Sequence, residues 1–356
     1  MRIKNGSSKI ALGTVILFSL AYFTVQLEPV QDWVLRRAFF SASVNMNSAP
    51  KPDALSASVC GSRSPIPDPK RAEACILVEA GERLFVIDTG DGSVARLRQW
   101  AIPFNRVESV FITHLHSDHI SDLADLHLAT WVLQNRPGKL PVYGPRGIQQ
   151  ITDGFELAYG IDYRLRNSHH GDSIAPLTNA GFDAHPIDDN ALTLLDEDGL
   201  KVTAFLVDHP PVIPAYGYRF EYKGRSLVIS GDTKETQAMI DQSRGADVLF
   251  HEAQSNEMLN LMINAANEKT LSASAQLFED IQSYHSTPAE AADIANKADV
   301  KHLIYYHLTP APRNWLMEKR LLRNAIKVRP DDWTVAKDGT RVTLPVGSSE
   351  IKLDSR

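Results

Sequence analysis

The segment Thr113-His114-Leu115-His116-Ser117-Asp118-His119 constrains this chain more than any other. It follows residues 107–113 (VESVFIT), which read as a buried strand, and leads into residues 118–134, whose apolar spacing predicts a helix. Three imidazoles and a carboxylate are thus placed in one strand-to-helix turn, where a rigid strand aims them past the sheet edge. His114 and His116 are two apart, so in extended backbone they project to the same side. Asp118 and His119 fall where the chain turns into the helix and can address a second ion close by. Two cations held this way clamp the attacking and leaving oxygens of a displacement and generate hydroxide at neutral pH. The fixed spacing weighs against a merely solvated His-rich loop.

Composition limits what else could hold such ions. Cys60 and Cys75 are the only cysteines in 356 residues, so a Cys-rich zinc site is excluded and the ligands must be His and carboxylate. The pair itself is either a bridge across neighbouring strands of an exported domain or two reduced core thiols. With 43% hydrophobic and 22% charged residues the chain is ordinary for a globular protein. Its net charge of −6 carries no polyanion footprint, so no nucleic-acid partner is expected.

Residues 10–27 (IALGTVILFSLAYFTVQL) are almost wholly apolar behind Arg2, Lys4 and Lys9. The run is near the minimum for a membrane-spanning helix, and the flanking charge puts its N-terminus in the cytoplasm. An uncleaved anchor is expected, because Gln26-Leu27-Glu28-Pro29 lacks the small residues of a cleavage site. A cleaved signal and a buried helix are the alternatives. Residues 30–40 (VQDWVLRRAFF) suit an interfacial amphipathic helix, and 41–53 reads as a linker. The expected organisation is an anchor or signal over 1–29, an amphipathic segment and linker over 30–53, and a catalytic domain over 54–356, lying outside the cytoplasm. The membrane would then be a partner; a homodimer is left open.

Beyond Ala54, short apolar strands alternate with helices in a layered α/β pattern. Residues 75–79 and 83–88 predict a hairpin, and 201–207, 217–222, 226–230, 248–251 and 302–306 predict strands. Residues 288–297 predict a helix with Thr287 as N-cap and Pro288 in its first turn. His127, His185 and His302 read as packing residues, and His169 and His170 as part of a polar loop.

The HxHxDH pattern resembles that of the metallo-β-lactamase superfamily, and the supporting segments resemble its ribonuclease Z-like branch, which also contains arylsulfatases. The likeness runs from Ala54 to about Pro310. Residues 59–69 (VCGSRSPIPDP) are similar to the family's opening strand and loop, and 85–92 (FVIDTGDG) to its second motif, where Asp88 would orient ligands. Val207-Asp208-His209 ahead of residues 215–220 (AYGYRF), Ser230-Gly231-Asp232-Thr233, His251-Glu252-Ala253, His285-Ser286-Thr287 and His307 are similar to the later motifs. Leu308-Thr309-Pro310 departs from the usual Ser and Arg.

The resemblance implies an αββα sandwich holding two zinc ions, with Mn or Fe as alternatives. His114, His116 and His209 would hold the first, Asp118, His119 and His307 the second, and Asp232 would be shared. Asp118 is implied to be catalytic, and Glu252 to hold His285 as general acid. The expected substrate is a small anionic ester, a phosphodiester first and an aryl sulfate second, attacked by a metal-bridging hydroxide. A ribonuclease Z-type endonuclease is set aside, because the interval from His209 to Asp232 is too short for the arm those enzymes carry. A binding protein without turnover is the remaining alternative, opposed by a ligand set with no position empty.

Overall fold

The computed structural model describes residues 22–44, 53–134, 136–189 and 192–356. The chain divides into two units, Met1–Pro50 and Lys51–Arg356. In the first, a helix spans Glu28–Val44 and leaves Trp33, Leu35 and Phe39 exposed, so the amphipathic segment is helical. The expected membrane span, 10–27, lies mostly outside the described residues. Among those described, no helix is long and apolar enough to cross a membrane, and the anchor gains no support.

The second unit is built from two sheets. Strands β1 (Ala54–Gly61), β2 (Cys75–Ala80), β3 (Arg83–Ile87), β4 (Val107–Phe111), β5 (Leu140–Gly144) and β6 (Phe182–Pro186) form most of the first. Strands β7 (Thr193–Glu197), β8 (Leu200–His209), β9 (Val212–Tyr222), β10 (Arg225–Ile229), β11 (Val248–Gln254), β12 (His302–Thr309) and β13 (Trp333–Val335) form the second. The last two, β14 (Thr340–Pro345) and β15 (Lys352–Ser355), return to the first sheet outside β1, giving the order β15-β14-β1-β2-β3-β4-β5-β6. β2 and β3 make the expected antiparallel hairpin, with Ile76 opposite Ile87. From β3 to β6, and from β10 to β13, neighbouring strands run parallel.

Parallel strands are covered on both faces, and every residue of β11 and β12 is buried. Alternate residues face opposite ways. Phe85 and Phe111 of one sheet meet Phe220 and Tyr218 of the other, with ring centroids 5.9 and 5.4 Å apart. On the outer face of the first sheet, Val86 and Val110 pack with Leu97, Leu123 and Leu126 from helices. On the outer face of the second, Leu249, Leu303 and Tyr305 pack with Ala291, Ile294 and Ala295 of the helix Pro288–Lys297. That helix has a full capping box: Thr287 accepts from the Glu290 backbone, and Glu290 accepts from the Thr287 backbone. The layering is therefore helix, sheet, sheet, helix.

Two local expectations change. The helix expected over 118–134 is broken into Ser117–Ile120, Leu123–Leu128 and a wider-wound turn over Ala129–Leu133. The His119 carbonyl accepts from Thr89 N at 2.7 Å and Asp122 N donates to Thr89 O at 2.8 Å, so the loop after β3 takes bonds that a continuous helix would use. His169 and His170 end a long helix, Ile148–His170, instead of lying in a loop; Gly171 is the first residue that stops it. Cys60 and Cys75 are joined in a disulfide across β1 and β2, Cα atoms 5.0 Å apart, which closes the loop 61–74 at its base.

Candidate metal centre

Asp88 follows β3 with φ 58° and is 1% exposed. Its carboxylate accepts from Thr113 N at 2.8 Å and Thr113 Oγ1 at 2.9 Å, and lies 2.8 Å from His119 Nδ1. The neighbouring strand ends β3 and β4 are thereby tied together, and His119 keeps Nε2 for another partner. His209 closes β8, its Nδ1 donating to the Tyr284 carbonyl at 3.1 Å. Asp232 follows Gly231, which has φ 62° and where a Cβ would come within 2.7 Å of the Tyr216 carbonyl. Glycine alone fits there. His307 is the extra residue of a bulge in β12: Tyr306 pairs with Glu252 and Leu308 with Ala253, leaving His307 between them at φ 45°. A bulge re-aims one side chain, here into the space where the other strand ends converge.

Two groups of ligand atoms result. In one, His114 Nε2 and His116 Nδ1 are 3.0 Å apart, and His209 Nε2 is 3.5 Å from His116 Nδ1. Zinc–nitrogen bonds of about 2.0–2.1 Å make a tetrahedral edge of about 3.3 Å, so this spacing suits one ion. In the other, His307 Nε2 is 3.1 Å and His119 Nε2 is 3.6 Å from Asp118 Oδ2. Asp232 Oδ2 lies between the groups, 3.8 Å from His114 Nε2 and 3.4 Å from His119 Nε2. His119 Nε2, Asp232 Oδ1 and His307 Nδ1 are buried without hydrogen-bond partners, the arrangement that a cation satisfies. All the residues assigned to metal in the sequence are brought together, and their donor set fits two divalent ions.

Electrostatics point the same way. Burial holds His114 well below its ordinary value, and His116 and His209 below it too, so these imidazoles are neutral and offer lone pairs. Burial also opposes charge on His119, but Asp232, Asp88 and Asp118 outweigh it and raise His119 well above the usual range. Asp88, Asp118, Asp232 and Glu252 are at most 5% exposed. Their partners are imidazoles, a hydroxyl and backbone groups, with no Lys or Arg among the described residues. Each buried carboxylate costs several kcal/mol unless a counter-charge arrives, and divalent cations supply one.

Beside these atoms stands the pair Glu252 and His285. Glu252 Oε1 accepts from Thr233 N at 2.9 Å and lies 2.8 Å from His285 Nδ1. Burial pulls the His285 imidazole down, yet Glu252, with Asp232 and Asp118 beyond, carries it up to about 9. The pairing through Nδ1 favours the imidazolium and leaves Nε2 for a substrate.

Sequence reading missed five contributing residues. Tyr284 holds His209 through its carbonyl, a contact that no side-chain pattern encodes. Ser64 sits in the loop closed by the disulfide, Leu277 and Phe278 come from a helix not predicted, and Ile281 from the turn after it; all four line the cleft above the centre. Of the histidines read as packing, His127 is buried against Trp131, Tyr163 and Phe182, and His302 bonds Thr334. His185 stacks on Tyr143.

The family described as Beta-lactamase superfamily domain matches residues 83–308. Ribonuclease Z of Mycobacterium bovis (strain BCG / Pasteur 1173P2) is 34% identical over 262 residues, spanning 72% of this chain and 87% of that protein. Among solved structures, the metallo-β-lactamase fold protein YhfI from Bacillus subtilis superposes with a TM-score of 0.60 at 18% identity, over 82% of this chain and 100% of that one. The short form of human tRNase Z gives 0.56 at 21% identity, over 82% and 99%. The expectation of no nucleic-acid partner is overturned by the ribonuclease relatives. A net charge summed over the chain averages away the field of one cleft and leaves out any bound cations.

Proposed function

The chain belongs to the metallo-β-lactamase superfamily, with ribonuclease Z among its relatives, and from this we propose that it is a divalent-metal-dependent phosphodiesterase of the ribonuclease Z-like kind. The observation that carries the reading is the meeting of two groups of ligand atoms around Asp232, next to the Glu252–His285 pair. His114, His116 and His209 would hold one ion, and Asp118, His119 and His307 the other, with Asp232 shared. Zinc suits this mixture of nitrogen and oxygen donors. Bound ions supply charge neutralisation for an anionic ester and acidify water.

The protein's own groups manage the protons. Water's oxygen joins phosphorus, the P–O bond to the departing group breaks, and that oxygen takes a proton from His285 Nε2. Glu252 steadies the imidazolium through Nδ1 until then. Asp118, which lines the cleft, takes the proton that water gives up. The ribonuclease Z relatives favour phosphorus over sulfur esters.

The test is a zinc-loaded preparation assayed on bis(p-nitrophenyl) phosphate, a single-stranded oligoribonucleotide and an aryl sulfate. Hydrolysis of either phosphodiester, lost with a strong chelator and restored by zinc, is the expected result. Cleavage of the sulfate alone, or less than one transition ion per folded chain by elemental analysis, overturns the reading.

A further inference from the structure

The cleft above the centre encloses about 270 Å³, and its floor is His116, Asp118, Asp232, His285 and His307. Its walls are of another kind. Ile66 stands on the loop closed by the Cys60–Cys75 bond, while Leu277, Phe278, Ile281 and Tyr284 come from the end of the helix Ser272–Asp280 and the turn after it. Among the described residues no Lys or Arg lines this space. Leu277 is 57% exposed, a large apolar side chain left unburied at the mouth.

A second observation is independent of the walls. Ser64 is 1% exposed, its Oγ has no hydrogen-bond partner, and it lines the same cleft. A buried hydroxyl without a partner is unfavourable unless something entering the cleft completes it. His285 also lines a second, polar chamber of about 540 Å³ that carries Lys234, Lys297, Glu235 and Glu290. The two spaces that meet at His285 thus differ in the chemistry they offer.

Resting on the phosphodiesterase reading, we propose that the apolar cleft binds a planar, uncharged aromatic group carried by the ester next to the scissile phosphate, with Ser64 making one hydrogen bond to the ligand. Anionic charge is met at the floor alone. A second phosphate pressed against Leu277 and Phe278 would lose its water and find no counter-charge. An aromatic ring there removes apolar surface from water on both walls and stacks on Phe278 or Tyr284. The volume lies just under the roughly 300–1,000 Å³ of drug-sized ligand sites, so it suits one ring system with its phosphate. The ring belongs either to a nucleobase or to a small aryl diester.

The experiment compares p-nitrophenyl phenyl phosphate with methyl p-nitrophenyl phosphate on the zinc-loaded protein, the leaving group being the same in both. The phenyl ester is expected to have the higher kcat/KM by ~10-fold or more, chiefly through KM. Leu277→Ser combined with Phe278→Ser should bring the two esters to within about twofold. A wild-type ratio near one, or an unchanged ratio in a variant that melts normally, overturns the proposal. Calorimetric binding of phenylphosphonate and methylphosphonate reads the cleft without turnover, and Ser64→Ala should weaken phenylphosphonate. If neither diester is cleaved while phenylphosphonate still binds far more tightly, the phosphodiesterase reading fails and the cleft assignment stands; equal binding sinks the assignment. Cleavage of a single-stranded oligoribonucleotide with the same dependence on Leu277 and Phe278 assigns the ring to a nucleobase. Dependence confined to phenyl esters assigns it to a small diester.

Discussion

A single residue explains why the turn after β4 holds its shape. Asp88 takes three donors at once, two from Thr113 and one from His119, so one carboxylate sets both the path of the chain and the free nitrogen of a ligand. Asp88→Ala should therefore weaken metal binding by ~10–100-fold, measured by competition with a chromogenic chelator. Unchanged affinity would show that His119 is aimed by packing alone. His285 is the opposite case, because Glu252 tunes its charge and not its place in a ligand set. His285→Ala should keep its metal content yet lose ~10²-fold or more in rate on alkyl phosphodiesters, which need a protonated leaving oxygen. The loss on nitrophenyl esters should be smaller, since nitrophenolate departs without a proton. Equal losses on both would argue against an acid role.

At the scale of elements, bonds made elsewhere in the molecule decide where regular structure stops. The helix expected after the HxHxDH turn is cut where Thr89 claims the His119 carbonyl and the Asp122 amide, and β12 bulges where His307 must face the centre. The loop 61–74 is fixed by the Cys60–Cys75 bond and by Arg71, which donates to Ser62 Oγ at 2.8 Å and to the Ala336 carbonyl at 2.6 Å. A wall of the cleft is thus stapled to both the first sheet and the C-terminal segment.

The helix Leu123–Leu128 carries a testable pH effect. His127 accepts the Gly181 N–H at 2.7 Å, and burial, helped by Lys139, pushes its imidazole down to about 4. Between pH 6.5 and 4 the unfolded chain binds a proton there that the folded chain refuses. The stability gained by keeping His127 neutral is whole above pH 6.5 and is lost as pH falls toward 4, by ~3 kcal/mol at 1.36 kcal/mol per unit. His127→Gln cannot titrate but retains an acceptor. Urea unfolding at pH 7 and 4.5 should show wild type losing more stability than this variant. A difference that stays constant with pH would contradict the assignment.

The whole molecule does what no segment can. Residues as far apart as Asp88 and His307 come from strand ends of two different sheets, and the centre forms where those sheets pack through Phe85, Phe111, Tyr218 and Phe220. That packing energy holds four buried carboxylates together despite their cost, so the apolar core offsets the local strain of the site.

The sequence by itself determined the layered α/β character, the strands around 107–111 and 302–306, the capped helix at Pro288, and the ligand-bearing turn His114 to His119, while His209, Asp232 and His307 were named only by likeness to the family's later motifs. Apolar periodicity, capping chemistry and ligand spacing are local properties, and local properties can be read along a chain. The pairing of Cys60 with Cys75, the broken helix, the bulge at His307, the Tyr284 carbonyl behind His209 and the apolar wall with its unpartnered serine were decided by the tertiary structure alone. Each depends on which distant backbone atom or side chain arrives alongside, and that follows from how the two sheets close on one another.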